Sequence, residues 1–283
     1  MIVAASRRYP LLTAVVIVLG VTMILIGPLF FVGPIDVTGG TGRFDFDTLT
    51  SGITFQALLT LALLMLVVLL RWRDITSLAG PIDRRGWRAF FTIAIYPVLG
   101  LAFGISQILG NSGDETARTI ITTVLLLNAL IGISEELLFR GFLFGALREK
   151  HRLITAILIS SLAFGMLHLV NAASGQSVEQ TLFQIISATA LGLLFCALVL
   201  QCNSLWPAVL LHMLWNSFIM LNLAAAETRG DLMTQIVETS QTPIQAVVLP
   251  ACITIIAIVM LRNFTKRTGT SLFTVLPSST PHR

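Results

Sequence analysis

Long apolar runs constrain the fold of this chain more than any other feature of its sequence. Eight stretches qualify, at residues 11–33, 51–71, 88–110, 118–147, 152–171, 180–201, 205–223 and 243–262. A helix that crosses a bilayer needs about 20 mostly apolar residues, and in lipid a helix satisfies its own backbone hydrogen bonds. The runs therefore predict an all-α fold, a polytopic transmembrane helical bundle of about eight spans.

Composition excludes the soluble alternatives. Charged residues make up only 11% of the 283 residues and hydrophobic residues 55%, with a mean hydropathy of +0.88. A soluble domain carries about 25% charged residues, so this chain cannot cover a soluble globule. The net charge of +4 is explained by basic loops, and we expect a lipid bilayer and no nucleic acid as partner.

The basic residues favour one side of the predicted membrane. Cytoplasmic loops carry an excess of Lys and Arg. An inside N-terminus puts only Arg43, Arg118 and Arg229 in outer loops and Arg140 within a span. The other basic residues then face the cytoplasm: Arg7, Arg8, Arg71, Arg73, Arg84, Arg85, Arg88, Arg148, Lys150, Arg152, Arg262, Lys266, Arg267 and Arg283. We predict an even number of spans with both termini cytoplasmic.

The connections leave no room for a folded soluble domain. The longest polar ones are 34–50, 72–87 and 224–242, so we expect residues 1–283 to form a single integral membrane domain. The first run is longer than the core of a usual signal peptide, and we interpret it as an anchor. Trp72 and Trp87 lie in a basic loop suited to the anionic inner leaflet. Cys196, Cys202 and Cys252 are expected to be small core residues.

Three clusters of polar residues lie inside the predicted spans, where a charged side chain costs about 2.5–3.5 kcal/mol. They are Glu135, Glu136 and Arg140 in the fourth span, Phe164 and His168 in the fifth, and His212 and Asn216 in the seventh. The members Glu136 and Arg140 are four apart and share a helix face, whereas Glu135 is turned about 100° away. At 1.5 Å per residue, Glu135, His168 and His212 lie roughly 18, 23 and 11 Å deep.

These residue types support hydrolysis of an amide bond in two ways. A glutamate can take a proton from water and return it to the leaving amine, while a histidine and Asn216 donate hydrogen bonds to the oxyanion. Alternatively, Glu135, His168 and His212 hold a Zn²⁺ ion whose bound water attacks. Taken singly, the pair Glu136–Arg140 is more often structural, a lone histidine is as often a packing residue, and Asn216 is a helix–helix contact. Their combination in three spans favours function.

The order Glu-Glu-x-x-x-Arg, Phe-x-x-x-His and His-x-x-x-Asn resembles the CPBP family of intramembrane proteases. That family includes the CAAX prenyl proteases and bacterial Abi-type and bacteriocin-processing proteins. The resemblance covers roughly residues 118–223 and implies a catalytic core there. It implies Glu135 as general base, His168 as a water-positioning residue, and His212 with Asn216 as the oxyanion hole. It also implies that Glu136 and Arg140, with Phe164, support the site, and both metal-dependent and metal-free mechanisms stay open.

The resemblance implies a peptide or membrane-protein substrate. Compact loops and the Leu, Ile and Val content are typical of a prokaryotic cell-membrane protein, for which a prenylated substrate is less expected than a peptide. Two other functions remain: a non-proteolytic scaffold or immunity-type protein that binds a peptide, and a proton-coupled transporter. A pH-driven liposome flux would indicate the transporter, although the chain lacks inverted repeats. The shallow position of His212 predicts a cavity that opens to the cytoplasm.

Overall fold

The computed structural model describes residues 2–32, 46–78, 83–173, 175–228 and 243–276, and in these ranges it contains helices and no strands. The predicted loop residues 34–45 and 229–242 lie outside the described residues. The helices are α1 (Ile2–Arg8), α2 (Pro10–Val32), α3 (Phe46–Leu70), α4 (Arg84–Asn111), α5 (Asp114–Glu136), α6 (Gly145–Arg148), α7 (Leu153–Leu167), α8 (Leu169–Ala173), α9 (Val178–Cys202), α10 (Trp206–Thr228) and α11 (Pro243–Thr268). A π-helical segment, Leu137–Phe144, joins α5 to α6.

The predicted transmembrane bundle is confirmed. Seven helical stretches within the described residues are long and apolar enough to cross a membrane. The pair α1–α2, bent by 105°, makes an eighth if it is counted as one span. Exposed side chains on α2, α3, α4 and α11 are largely aliphatic or aromatic, as expected of a surface that faces lipid.

Several predicted boundaries were wrong. The loop predicted at 34–50 is already helical from Phe46, α10 continues to Thr228, and α11 continues to Thr268. The fifth span is broken at His168, which separates α7 from α8. These ends carry polar residues that hydropathy alone assigns to loops, although a helix readily extends one or two turns beyond its apolar run.

Two predictions about individual side chains were also wrong. Trp72 is fully buried and its ring lies 5.8 Å from that of Phe142, so it is a core residue rather than an interfacial one. Cys252 is exposed on α11, whereas Cys196 and Cys202 are buried as predicted. Hydrophobicity does not distinguish burial in protein from exposure to lipid, since both environments are apolar.

The core positions the polar clusters by close packing of α5, the π segment, α7, α9 and α10. α9 packs between α7 and α11, and α10 packs against α4 and α5. Gly132 on α5 faces the α10 backbone, where an added Cβ would lie 3.1 Å from the Val209 carbonyl oxygen. A glycine there lets the helix of Glu135 approach the helix of His212.

Candidate active site

Glu136 is the centre of a buried ionic cluster. Its Oε1 accepts a hydrogen bond from Arg140 Nη1 at 2.8 Å and lies 2.8 Å from His212 Nδ1. The Glu136 and Arg140 side chains have no exposed surface, and His212 is 5% exposed. The predicted pairing of Glu136 with Arg140 is therefore present, and the structure adds His212 as a third member.

Glu135 lies on the other side of the same histidine. Its Oε2 is 3.7 Å from His212 Nε2, and its side chain retains 22% exposure. The two glutamates thus face the two ring nitrogens of His212. Although the sequence placed Glu135 and His212 at depths about 7 Å apart, the packing of α5 on α10 brings them together.

A small cavity adjoins Glu135. It has a volume of about 20 Å³ and is lined by Glu135, Ser134 and Gln56 among aliphatic side chains of α2, α3, α7 and the π segment. A volume of about 10–15 Å³ is enough to hold one water molecule. The cavity therefore has room for a water beside the carboxylate.

Aromatic rings enclose the ionic cluster. The Arg140 guanidinium carbon lies 4.1 Å from the Phe164 ring centre and 5.0 Å from that of Phe195. Phe195 also stacks on His212, with centroids 5.3 Å apart and planes at 17°. Arg140 Nε and Nη2 have no hydrogen-bond partner among the described residues, so these ring faces stabilise the rest of the cation.

Phe195 was missed by the sequence interpretation. It lies on α9, in an apolar run between the second and third motifs. Nothing distinguishes it there from the neighbouring core residues, and only its contacts identify it as part of the site.

Phe164 connects the two histidines. Its ring is edge-on to His168 at 5.4 Å and to His212 at 5.6 Å. His168 Nδ1 lies 3.1 Å from the Phe164 carbonyl oxygen. Because a carbonyl oxygen only accepts hydrogen bonds, this contact favours the Nδ1–H tautomer, in which Nε2 keeps its lone pair and is an acceptor. No hydrogen bond or ion pair joins His168 to either glutamate within the described residues.

Asn216 lies one turn after His212 on α10 and is half-buried. In the part of the chain that the structure describes, its side-chain amide makes no hydrogen bond. The structure thus places it on the helix of His212 but does not join it to the ionic cluster.

The predicted zinc ligands do not form a ligand set in this arrangement. No group of three His, Cys, Asp or Glu side chains in the described residues is placed to hold a metal ion. The hydrogen bonds at Nδ1 of His212 and His168 leave both Nε2 atoms as possible ligands, so it is the placement of the three side chains that does not fit. The residues present therefore do not fit the Glu135, His168 and His212 zinc site.

Two comparisons of the sequence with known proteins found matches. Residues 117–218 match the model of the family described as type II CAAX prenyl endopeptidase Rce1-like. The chain is also 28% identical over 142 residues to a Bacillus subtilis (strain 168) protein named "Putative membrane peptidase YdiL". This alignment covers 47% of this chain and 53% of that protein. The chain thus aligns with about half the length of this curated relative. No solved structure matches.

Both matches are named as peptidases, and seven helical stretches of the described residues can cross a membrane, so the chain is an integral multi-pass membrane protein that is similar to peptidases. The predicted resemblance to the CPBP family of intramembrane proteases is confirmed.

Proposed function

We propose that the protein is an intramembrane endopeptidase that cleaves a peptide bond in a peptide or membrane-protein substrate, with Glu135 as general base. One observation carries the proposal. Glu135 accepts no hydrogen bond from a described residue, yet it faces a cavity that has room for a water and lies 3.7 Å from His212 Nε2. Glu136, in contrast, has no exposed surface, and its Oε1 is shared by Arg140 and His212.

The proposed reaction is a general-base hydrolysis. Glu135 takes a proton from water as the water oxygen bonds to the carbonyl carbon of the scissile amide. The resulting oxyanion is stabilised by hydrogen-bond donors. The carbon–nitrogen bond then breaks, and the proton held by Glu135 passes to the leaving amine.

His212 is proposed to act as an oxyanion donor through Nε2–H. The ring is held in place for this role, because Nδ1 lies 2.8 Å from Glu136 Oε1 while Nε2 faces Glu135 across 3.7 Å. Asn216 supplies a second donor from the next turn of α10, since its amide is not used by another described residue.

Glu136, Arg140, Phe164 and His168 are proposed to support this arrangement. Arg140 compensates the charge of Glu136, and Glu136 in turn fixes the ring of His212. Phe164 contacts both histidines and the guanidinium. His168 lies at the break between α7 and α8, with Nδ1 directed at the Phe164 carbonyl oxygen. It is proposed to present Nε2 to the substrate or to the water.

The substrate class follows from the membrane setting of the site. The matched family is described by its action on prenylated CAAX ends, whereas the bacterial relative is named only as a membrane peptidase. We propose a peptide or membrane-protein segment as substrate, with recognition of a lipid group to be decided by assay.

A purified-protein assay tests the proposal. The protein in detergent is incubated with a quenched-peptide library, and with one CAAX-ended peptide in farnesylated and unmodified forms. Wild type is expected to cleave, and Glu135→Gln to lose about 10²- to 10⁴-fold in rate, the usual worth of a general base. Glu179→Gln, an exposed glutamate in the first turn of α9, is the matched control and retains activity.

Three outcomes decide between the alternatives. Equal cleavage by Glu135→Gln and wild type would contradict the general-base role. If a zinc chelator abolished the activity and added zinc restored it, the result would support the zinc-dependent mechanism instead. Specific peptide binding without cleavage by either protein would indicate the peptide-binding function instead.

A further inference from the structure

Gln56 is a polar residue inside a membrane span that none of the three motifs includes. It lies seven residues into the apolar stretch Thr50–Leu70 of α3, about 10 Å from its end at 1.5 Å per residue. It is outside the family match at 117–218. An amide at that depth requires hydrogen-bond partners in the protein, because lipid offers none.

Only one end of the Gln56 amide is used within the described residues. Ser134 Oγ lies 3.1 Å from Gln56 Oε1 and also 3.1 Å from the Ile131 carbonyl oxygen. The remaining part of the amide makes no hydrogen bond to a described residue. The residue Gln56 lines the cavity of about 20 Å³ beside Glu135.

Three polar residues in a mostly aliphatic lining favour a water molecule as the occupant of this cavity. An apolar group would leave the Glu135 carboxylate and the Gln56 amide without partners, which is costly for polar groups largely removed from water. A water molecule offers two donors and two acceptors and needs two to four polar partners. Glu135, Gln56 and Ser134 supply three such groups around a space of the right size.

We propose that Gln56 is a water-positioning residue, whose amide and the Glu135 carboxylate together bind the hydrolytic water in the cavity between α3 and α5. The inference rests on the proposed peptidase function and extends its site to α3. The carboxylate takes the proton of the water, while the amide fixes the direction of the water oxygen.

Thr60 provides a matched control on the same helix. Its Oγ1 donates to the Leu130 carbonyl oxygen on α5 at 3.3 Å, so it also joins α3 to α5 by a hydrogen bond. It does not line the cavity. Thr60→Val therefore removes a contact between the two helices and leaves the proposed water in place.

The first measurement is kinetic. Gln56→Met keeps the length of the side chain and removes its amide. We expect kcat to fall about three- to tenfold, the worth of one ordinary hydrogen bond, with KM unchanged. Thr60→Val is expected to keep kcat. Wild-type kcat in Gln56→Met, or an equal loss in both variants, would overturn the inference.

The second measurement detects the water without activity. X-ray hydroxyl-radical footprinting in ¹⁸O-labelled water is applied to wild type and both variants. Leu63 and Leu138, which line the cavity but are only 1% and 2% exposed, are expected to incorporate ¹⁸O in wild type and in Thr60→Val. Incorporation falls in Gln56→Met. Equal labelling in all three proteins would contradict the inference.

The two proposals fail differently. In Glu135→Gln the new amide still binds water, so labelling of the cavity persists while cleavage is lost. If wild type does not cleave but its labelling depends on Gln56, the peptidase proposal fails and the water site stands. If wild type cleaves and labelling is independent of Gln56, the water-positioning role fails alone.

Discussion

Phe195 orients His212 through contact of the two ring faces, and it also lies against Arg140. Such an aromatic contact is worth about 0.5–1.5 kcal/mol beyond the buried area. In Phe195→Leu the imidazole loses its stacked neighbour and the guanidinium one of two rings. We expect kcat/KM to fall about tenfold, equivalent to about 1.4 kcal/mol, as measured in the peptidase assay.

Phe144→Leu separates this effect from simple destabilisation. Phe144 is fully buried and lies near Arg148 rather than near either histidine. Both variants shorten a buried aromatic side chain, and both are expected to lower the thermal midpoint by a similar amount. A tenfold loss of kcat/KM in both would mean that Phe195 acts through stability alone.

At the residue scale, the sequence predicted contacts between charged residues at helical spacing, but not contacts that depend on the packing of apolar side chains. Four-residue spacing predicted the contact of Glu136 with Arg140, since side chains one turn apart meet. Phe195 has no such signal, because an apolar ring within an apolar run has no distinguishing feature. Gln56 did carry a signal, a lone amide in the second span, but it is not ionisable and belongs to none of the three motifs.

At the element scale, an ion pair connects α1 to the loop that follows α3. Arg7 Nη2 lies 2.9 Å from Asp74 Oδ1, and the same guanidinium donates to the Arg71 carbonyl oxygen. Burial raises the pKa of the Asp74 carboxyl, but hydrogen bonds from Arg7 and from the amides of Asp74 and Ile75 outweigh it. The pKa of Asp74 is therefore lowered.

This pKa shift gives the pair a defined pH dependence. A carboxyl whose pKa is lower when folded stabilises the protein above its unfolded pKa of about 3.9, and the contribution disappears as the pH falls through the folded value. Asp74→Asn is expected to lower the melting temperature by about 1–2 °C at neutral pH, because the pair is partly exposed. The difference from wild type should vanish below the folded pKa.

Arg7→Gln provides the companion measurement. If the ion pair causes the shift, the double variant with Asp74→Asn loses less stability at neutral pH than the sum of the two single losses. A full additive loss would assign the two effects to separate contacts.

The number and approximate positions of the helices were predicted better than their local backbone structure. Eight apolar runs predicted the spans because hydropathy measures the one property that lipid requires. The π segment Leu137–Phe144, which follows Glu136 directly and contains Arg140, has no signature in composition. Its origin is a change of backbone hydrogen bonding, and such segments often occur at functional sites.

At the scale of the whole molecule, segments distant in sequence meet at one end of the bundle. Lys150 donates to the Arg8 carbonyl oxygen, Arg267 pairs with Asp83, and the Leu153 amide donates to Thr274. The described residues near both termini therefore share an end with the loops after α3 and α6. These are the segments that the basic residues assign to the cytoplasm, and an even number of spans requires this arrangement.

The cytoplasmic assignment of that end is tested by single cysteines. Exposed Cys252 is first replaced by serine, whereas buried Cys196 and Cys202 stay. In intact cells, a membrane-impermeant maleimide is expected to modify Asp114→Cys, at the opposite end where α5 begins, and to modify Arg73→Cys only after lysis. The positive-inside rule requires this pattern, since the basic loops lie at the Arg73 end. The reverse pattern would place both termini outside and would show that the basic excess does not set the orientation of this bundle.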